Sequence, residues 1–423
     1  MADLRVGVGR VSLTPAIGAT LVGFRGRASG CTSIHDELYA TSMVFDGGGG
    51  EQIAILSCDL LAVHPDIVAH VRELVFSSIG IPADRLSVCC SHTHSGPPGY
   101  ATQGSHPIDC AYAAYLPYLL TSAVRLAHAN LTPARIGHGA TTATIGINRR
   151  EVVGPGQTIL GNNPNGPVDS ELGVLRVDDQ DGVPLATLVN YACHPVILGP
   201  QSTVVSADFV GRVRDIVEAE TGAPMLFLQG ACGDINPLSG VTADYTHCIT
   251  LGTVLGEEVV ISHRAITPRK GDVGLAARVF NVELPLQSFS QREAASPVST
   301  DLQDVRDREF PWEVSTGEVG PRMEVQVFAI GDLGLAMVAA EPFARTGIAV
   351  KSASPWACTF FAGYANGCVG YVPTADAYPN GGYEVNIAHQ LYGLPAPFAP
   401  GAESMLVQAC TSALGSLIWP SGG

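Results

Sequence analysis

Apolar residues along this chain come in short runs that stop at Gly- or Pro-containing turns, with a few longer stretches at helical spacing. Leu38 to Phe45 and Gln52 to Cys58, joined across Asp46 and four glycines, predict a β-hairpin, because glycine accepts the positive φ of tight turns. The same pattern predicts hairpins of Leu172 to Val177 with Pro184 to Ala192, and of Met323 to Ile330 with Gly334 to Ala340 around Gly331-Asp332-Leu333. Pro65 to Ser78 places Ile67, Val71, Leu74 and Val75 on one helical face. Ala111 to Ala129, Ala207 to Thr221 and Thr250 to His263 also predict helices. Strands and helices mixed in this way predict an α/β fold, one large domain of mixed β-sheets flanked by helices and spanning residues 1–423. Residues 287–321 are polar, charged and poor in large aliphatics, which predicts a surface insertion or a lid over a pocket.

Composition narrows the class. The 423 residues are 46% hydrophobic and only 15% charged, enough apolar mass for a large core. A formal charge of −16 leaves no basic stripe to displace counterions from a phosphate backbone, so nucleic acid is not an expected partner. Eleven cysteines without CxxC pairing read as reduced, buried thiols. The opening Met-Ala-Asp-Leu-Arg-Val-Gly has no apolar leader, and no stretch is long enough to span a bilayer. A cytoplasmic location without stable membrane association is the expectation, and a homo-oligomer is allowed.

Candidate chemistry collects where apolar runs end. Leu86 to Cys90 leads into Ser91-His92-Thr93-His94-Ser95-Gly96-Pro97. On extended backbone two histidines at i and i+2 point the same way, a natural pair of zinc ligands or a ligand with its catalytic neighbour. Leu185 to Cys193 ends in His194-Pro195, Pro224 to Leu228 leads to Gly233-Asp234-Ile235-Asn236-Pro237, Leu335 to Ala340 ends in Glu341-Pro342, and Cys358 to Ala362 leads to Tyr371. Loops at the carboxyl ends of α/β strands converge on ligands, which predicts a zinc cleft there. Two histidines and a carboxylate form a catalytic zinc shell with room for water and substrate. Asp234 is a candidate for moving the water proton, and Arg149 offers a cation for a developing oxyanion. Each has a bland alternative: His194 a strand cap, Asp234 an Asx turn, Glu341 a helix N-terminal carboxylate, Arg149 a surface charge.

These segments, in this order, resemble the catalytic domain of the neutral/alkaline non-lysosomal ceramidases. The resemblance rests on Gly7 to Pro15, Ile34 to Ala40, His92-Thr93-His94-Ser95-Gly96-Pro97, Ile147-Asn148-Arg149, His194-Pro195, Gly233-Asp234, Glu341-Pro342-Phe343 and Tyr371. It implies one Zn2+ held by His92, His194, Glu341 and Tyr371, with Tyr378 and Tyr383 as rival fourth ligands. It also implies that His94 and Arg149 meet the reacting carbonyl or its oxyanion, and that Asp234 works with the nucleophile. One departure stands out: the family's Gly-Asp-x-Ser-Pro is Gly233-Asp234-Ile235-Asn236-Pro237 here. Asparagine cannot replace a serine nucleophile, but its amide can donate to an oxyanion or hold a water. The chain also ends near residue 423, where the family continues into an immunoglobulin-like domain.

The expected function is therefore a zinc-dependent amidohydrolase in which zinc-activated water cleaves a small-molecule amide: an N-acyl amine, N-acyl amino acid or peptide-like compound. Two alternatives use the same residues: a non-hydrolytic acyl transfer, cyclisation or lactam ring opening, and a binding protein whose site has decayed. Amidohydrolase barrels and two-metal phosphoesterases fit poorly, since neither an eightfold βα repeat nor an array of bridging carboxylates is visible.

Overall fold

Parallel strands need a long crossover, usually a helix, and this chain supplies three such units. In a computed structural model, which describes residues 4–24, 27, 29–101, 105–271, 273–288 and 319–418, β4 (Gln52–Cys58) and β5 (Leu86–Cys90) lie parallel with α1 (Pro65–Ile79) between them. Likewise α3 (Phe209–Thr221) joins β10 (Pro184–Tyr191) to β12 (Met225–Gln229). The third unit joins β16 (Leu333–Val338) to β18 (Cys358–Ala362) through α5 (Ala344–Ala353). Helix α1 shows why the chain turns where it does. His64 Nδ1 accepts from Asp66 N, Pro65 opens the first turn, and Gly80 at φ 80° ends the last.

The larger sheet has eight strands in the order β12, β10, β9 (Glu171–Asp179), β6 (Thr132–Thr142), β1 (Arg5–Ser12), β3 (Tyr39–Asp46), β4, β5. The smaller has four: β14 (Leu275–Pro285), β15 (Val319–Ile330), β16, β18. The three hairpins read from the sequence are present as β3–β4, β9–β10 and β15–β16; Leu333 opens β16 instead of sitting in the turn. All four expected helices form, but α2 begins at Pro107 and α4 at Thr246, each four residues early (α2, Pro107–Ala129; α4, Thr246–Ala265). Of the polar segment 287–321, residues 289–318 lie outside the described residues.

Pleating sends alternate side chains to opposite faces, and here both faces are covered. Phe45, Ile55, Leu175 and Leu188 of the large sheet share a cluster with Phe328, Leu335 and Phe360 of the small one, so the sheets stack face to face. The intervening Val44, Leu56 and Val189 join Val71 of α1, Leu120 of α2 and Val213 of α3 instead. Helices α5 and α6 (Ala402–Gly415) contact the small sheet. The result is helix, sheet, sheet, helix, the mixed α/β arrangement that the sequence predicts.

Curling brings distant strands of the large sheet together. Ser57 of β4 donates its hydroxyl to Phe227 O of β12 at 2.7 Å and accepts from Phe227 N at 3.2 Å. Gln229 Nε2, at the end of β12, donates to Ser91 O and to Cys193 O. The carboxyl ends of β5, β10 and β12 are thereby tied to one another. A Ser57→Ala variant leaves a buried N–H and a buried C=O without partners. Its unfolding free energy in a urea titration is expected to fall by about 2–4 kcal/mol.

Candidate metal centre

Strand β5 stops at Cys90, short of both histidines, and His92 adopts φ 67°. The expectation of two histidines on extended backbone is thus corrected: the chain kinks at the first. A left-handed non-glycine residue costs on the order of 1 kcal/mol or more and persists where its surroundings fix it. Here His92 N donates to Leu60 O at 2.9 Å and Nδ1 to Leu61 O at 2.8 Å. The kink still converges the two rings, with centroids 4.8 Å apart and Nε2 atoms 3.3 Å apart.

His194 enters from the end of β10. Its Nδ1 faces Cys232 O at 2.6 Å and Ile235 O at 3.1 Å, while His94 Nδ1 faces Gly23 O at 2.9 Å. A carbonyl only accepts, so all three imidazoles carry their proton on Nδ1 and present a bare Nε2 lone pair inward. The ligand nitrogens of His92, His94 and His194 all lie within 4.8 Å of one another. Glu341, just beyond β16, adds Oε2 at 3.5 Å from His92 Nε2 and 3.4 Å from His194 Nε2. Yet His194 Nε2 has no partner in hydrogen-bond geometry among the described residues.

Three lone pairs and a carboxylate facing each other, nearly all removed from water, repel unless a cation lies between them. Protons are disfavoured at two of the three nitrogens: burial pushes the His194 imidazole down to about 4, helped by Arg149, and pushes His94 well below its usual range. Burial alone raises the Glu341 carboxyl; positive charge at His92 and His194 would hold it well below the ordinary carboxylate range, and a cation among these groups supplies the same attraction. Nitrogen donors with one carboxylate fit a zinc ion. The structure groups His94 with the expected His92, His194 and Glu341 as a third nitrogen.

Tyr371 stands beside Glu341, since β17 (Glu341–Pro342) and β19 (Tyr371–Val372) pair in parallel with these residues in register. Its Oη accepts from Arg149 Nη2 at 3.1 Å. Of the rival tyrosines, Tyr378 donates to Phe398 O at 2.7 Å, whereas Tyr383 packs edge-on against Tyr371 at 5.7 Å. Arg149 lies on β7 (Gly146–Gly154), which pairs with β13 (Ile235–Pro237) and β8 (Gln157–Asn163) in a three-stranded sheet. It is buried, and Nη1 donates to Asn236 Oδ1 at 3.3 Å. Guanidinium has no acceptor, so this contact orients the Asn236 amide with Nδ2 turned away from Arg149 as a donor.

Asp234 is held in place by two hydrogen bonds. Oδ1 accepts from Ala344 N at 2.7 Å, at the first residue of α5, and Oδ2 accepts from Asn148 Nδ2 at 2.8 Å. Both oxygens of this buried carboxylate are committed, and burial pushes its pKa up to about 6. The helix N-terminal carboxylate considered for Glu341 is therefore Asp234. Three partners went unread in the sequence. Tyr392 donates to Glu341 Oε1, Tyr364 donates to Glu341 Oε2 at 3.4 Å while stacking on His92, and Glu384 bonds to Arg149. Their nearest sequence signal is a chain of glycines and aromatics after Cys358, which marks irregular backbone but names no contact. A surface groove of about 1230 Å³ beside Gly137, Lys270 and Asp332 shares no residue with this group.

Gly23 sits at φ 99°, and a Cβ there would come within 2.4 Å of His94 Nδ1. Gly23→Ala is expected to displace the His94 ring and weaken zinc binding about 10–100-fold, as loss of an outer hydrogen bond does. Competition with a chromogenic chelator measures the affinity, and circular dichroism verifies that the fold is kept.

The family profile described as neutral/alkaline non-lysosomal ceramidase, N-terminal, matches residues 4–240. Neutral ceramidase B of Dictyostelium discoideum is 23% identical over 262 residues, 56% of this chain and 36% of that protein. Neutral ceramidase A of the same organism is 22% identical over 227 residues, 50% of this chain and 31% of that protein. The matched part thus spans about a third of these relatives. The crystal structure of neutral ceramidase from Pseudomonas aeruginosa superposes with a TM-score of 0.75 at 17% identity, covering 100% of this chain and 76% of that one. With the profile spanning more than half of its residues, the chain belongs to the neutral/alkaline non-lysosomal ceramidase family.

Proposed function

We propose that the protein is a zinc-dependent amidohydrolase that cleaves the amide of an N-acylated small molecule with water as the nucleophile. The observation that carries this reading is the convergence of three Nε2 lone pairs and Glu341 on one buried point. The relatives are named ceramidases, and ceramide is an N-acyl amide, which brings the amide bond to this chain as the substrate class. His92, His194 and Glu341, with His94 and Tyr371 beside them, would hold the ion. Zinc so held lowers the pKa of a bound water to roughly 7 and polarises a carbonyl. Arg149 and the Nδ2 of Asn236 donate to the carbonyl oxygen as negative charge develops on it. Asp234 acts on position: its backbone oxygen accepts from Arg149 N at 2.8 Å while its side chain fixes Asn148 and α5.

Asn236, where the family's motif carries serine, also supports a second reading in which the same residues catalyse acyl transfer or ring closure. Turnover in 18O-labelled water distinguishes the two, because hydrolysis places one solvent oxygen in the carboxylate product and cyclisation places none.

Asn236→Ala is expected to lower kcat by on the order of 100-fold with KM changed less than about 3-fold, the pattern of a donor that acts in the transition state. Chelation is expected to abolish turnover, and zinc to restore it. Burial pushes the His194 imidazole down to about 4. Zinc retention after dialysis is therefore expected to persist at pH 5.5, where solvent-exposed histidines with pKa near 6.5 would release it. Release with a midpoint near 6.5, or full activity in a zinc-free sample, overturns the proposal.

A further inference from the structure

We infer that Glu384 is a positioning residue that sets the angle at which Arg149 faces the reacting carbonyl. This rests on the reading of the site as an amidohydrolase. Glu384 has a fully buried side chain. Its Oε1 accepts from Arg149 Nε at 2.8 Å, and its Oε2 accepts from Arg150 Nη1. Consecutive residues of a strand normally face opposite ways. The register of β7 against β8 shifts between Asn148 and Arg150, and this irregularity lets both guanidinium groups reach one carboxylate.

The backbone that delivers Glu384 is unusual as well. It lies on a single π-helical turn, Tyr383–Ile387, entered through Gly381 at φ 59° and Gly382 at φ 102°. A Cβ on Gly382 would come within 2.9 Å of Thr158 Cβ and 3.2 Å of Arg150 Nη1, so only glycine lets the turn seat against the arginines. Single π-helical turns concentrate at functional sites. Arg150 is spent on anchoring, since Nη2 also donates to Gly381 O. Arg149 is different. With Nε pinned by Glu384, its two terminal nitrogens reach Tyr371 Oη and Asn236 Oδ1, one on each side of the site. Remove the pin, and the guanidinium can rotate about its long side chain and lose both aims at once.

The test uses the metal-loaded protein and Glu384→Leu, which leaves no oxygen to accept from either guanidinium. Expected is a 10–100-fold loss of kcat with KM changed less than about 3-fold. In an Arg149→Met background the same change is expected to cost less than about 2-fold, because the residue through which Glu384 acts is gone. Should the single variant fail to fold, Glu384→Leu with Arg150→Met removes one buried charge of each sign and still leaves Arg149 without its pin. Cobalt(II) in place of zinc gives a readout free of substrate: a shift of the visible bands in the variant is expected, relayed through Arg149 to Tyr371. Wild-type kcat and an unshifted cobalt spectrum in a folded variant would overturn the inference. So would an equal kcat loss with and without Arg149. If the wild type cleaves no amide, the functional reading fails, and the cobalt spectrum alone still decides for or against Glu384.

Discussion

Three hydrogen bonds from imidazole Nδ1 to backbone carbonyls are what the candidate centre depends on. Leu61 O, Gly23 O and Cys232 O each take the only proton of a neutral histidine, and the lone pairs that remain meet Glu341 in a volume with almost no water. Geometry and electrostatics then give one answer. Groups arranged in this way are stable together when a cation lies among them, and each carbonyl fixes both ring angle and tautomer before any ligand arrives.

The fold serves that arrangement through its connections. Three crossovers place the carboxyl ends of β5, β10, β12, β16 and β18 side by side, and each end turns into irregular backbone bearing a functional group. Strands in such units are interchangeable as scaffolding, but their loops are not. Left-handed backbone at His92, Tyr364 and Asn366 shows where the chain bends most sharply to bring side chains inward. The cost of those conformations is met by the rigid sheets behind them.

Much of this was legible from residue order. Short apolar runs meeting at glycine-containing turns located the hairpins, and helical spacing located α1 through burial of one face. His92, His194 and Glu341 were legible as strand-end residues. His94 was legible as the neighbour of His92, although a kink at His92 and not extended backbone brings the two rings together. The contacts of Asp234 were not legible, because its two oxygens accept from Ala344 and Asn148, partners 110 and 86 residues away. Glu384 gave no signal either, because a carboxylate between two guanidinium groups arises from a register shift and a π-helical turn, and neither leaves a periodic trace.

Sheet stacking gives the centre a mechanical consequence. His92 and His194 follow strands of the eight-stranded sheet, whereas Glu341 follows a strand of the four-stranded one. An ion shared by all three would be a rivet through both layers. Sliding one layer over the other would then have to break that coordination, so metal retention and the integrity of the sandwich would be coupled.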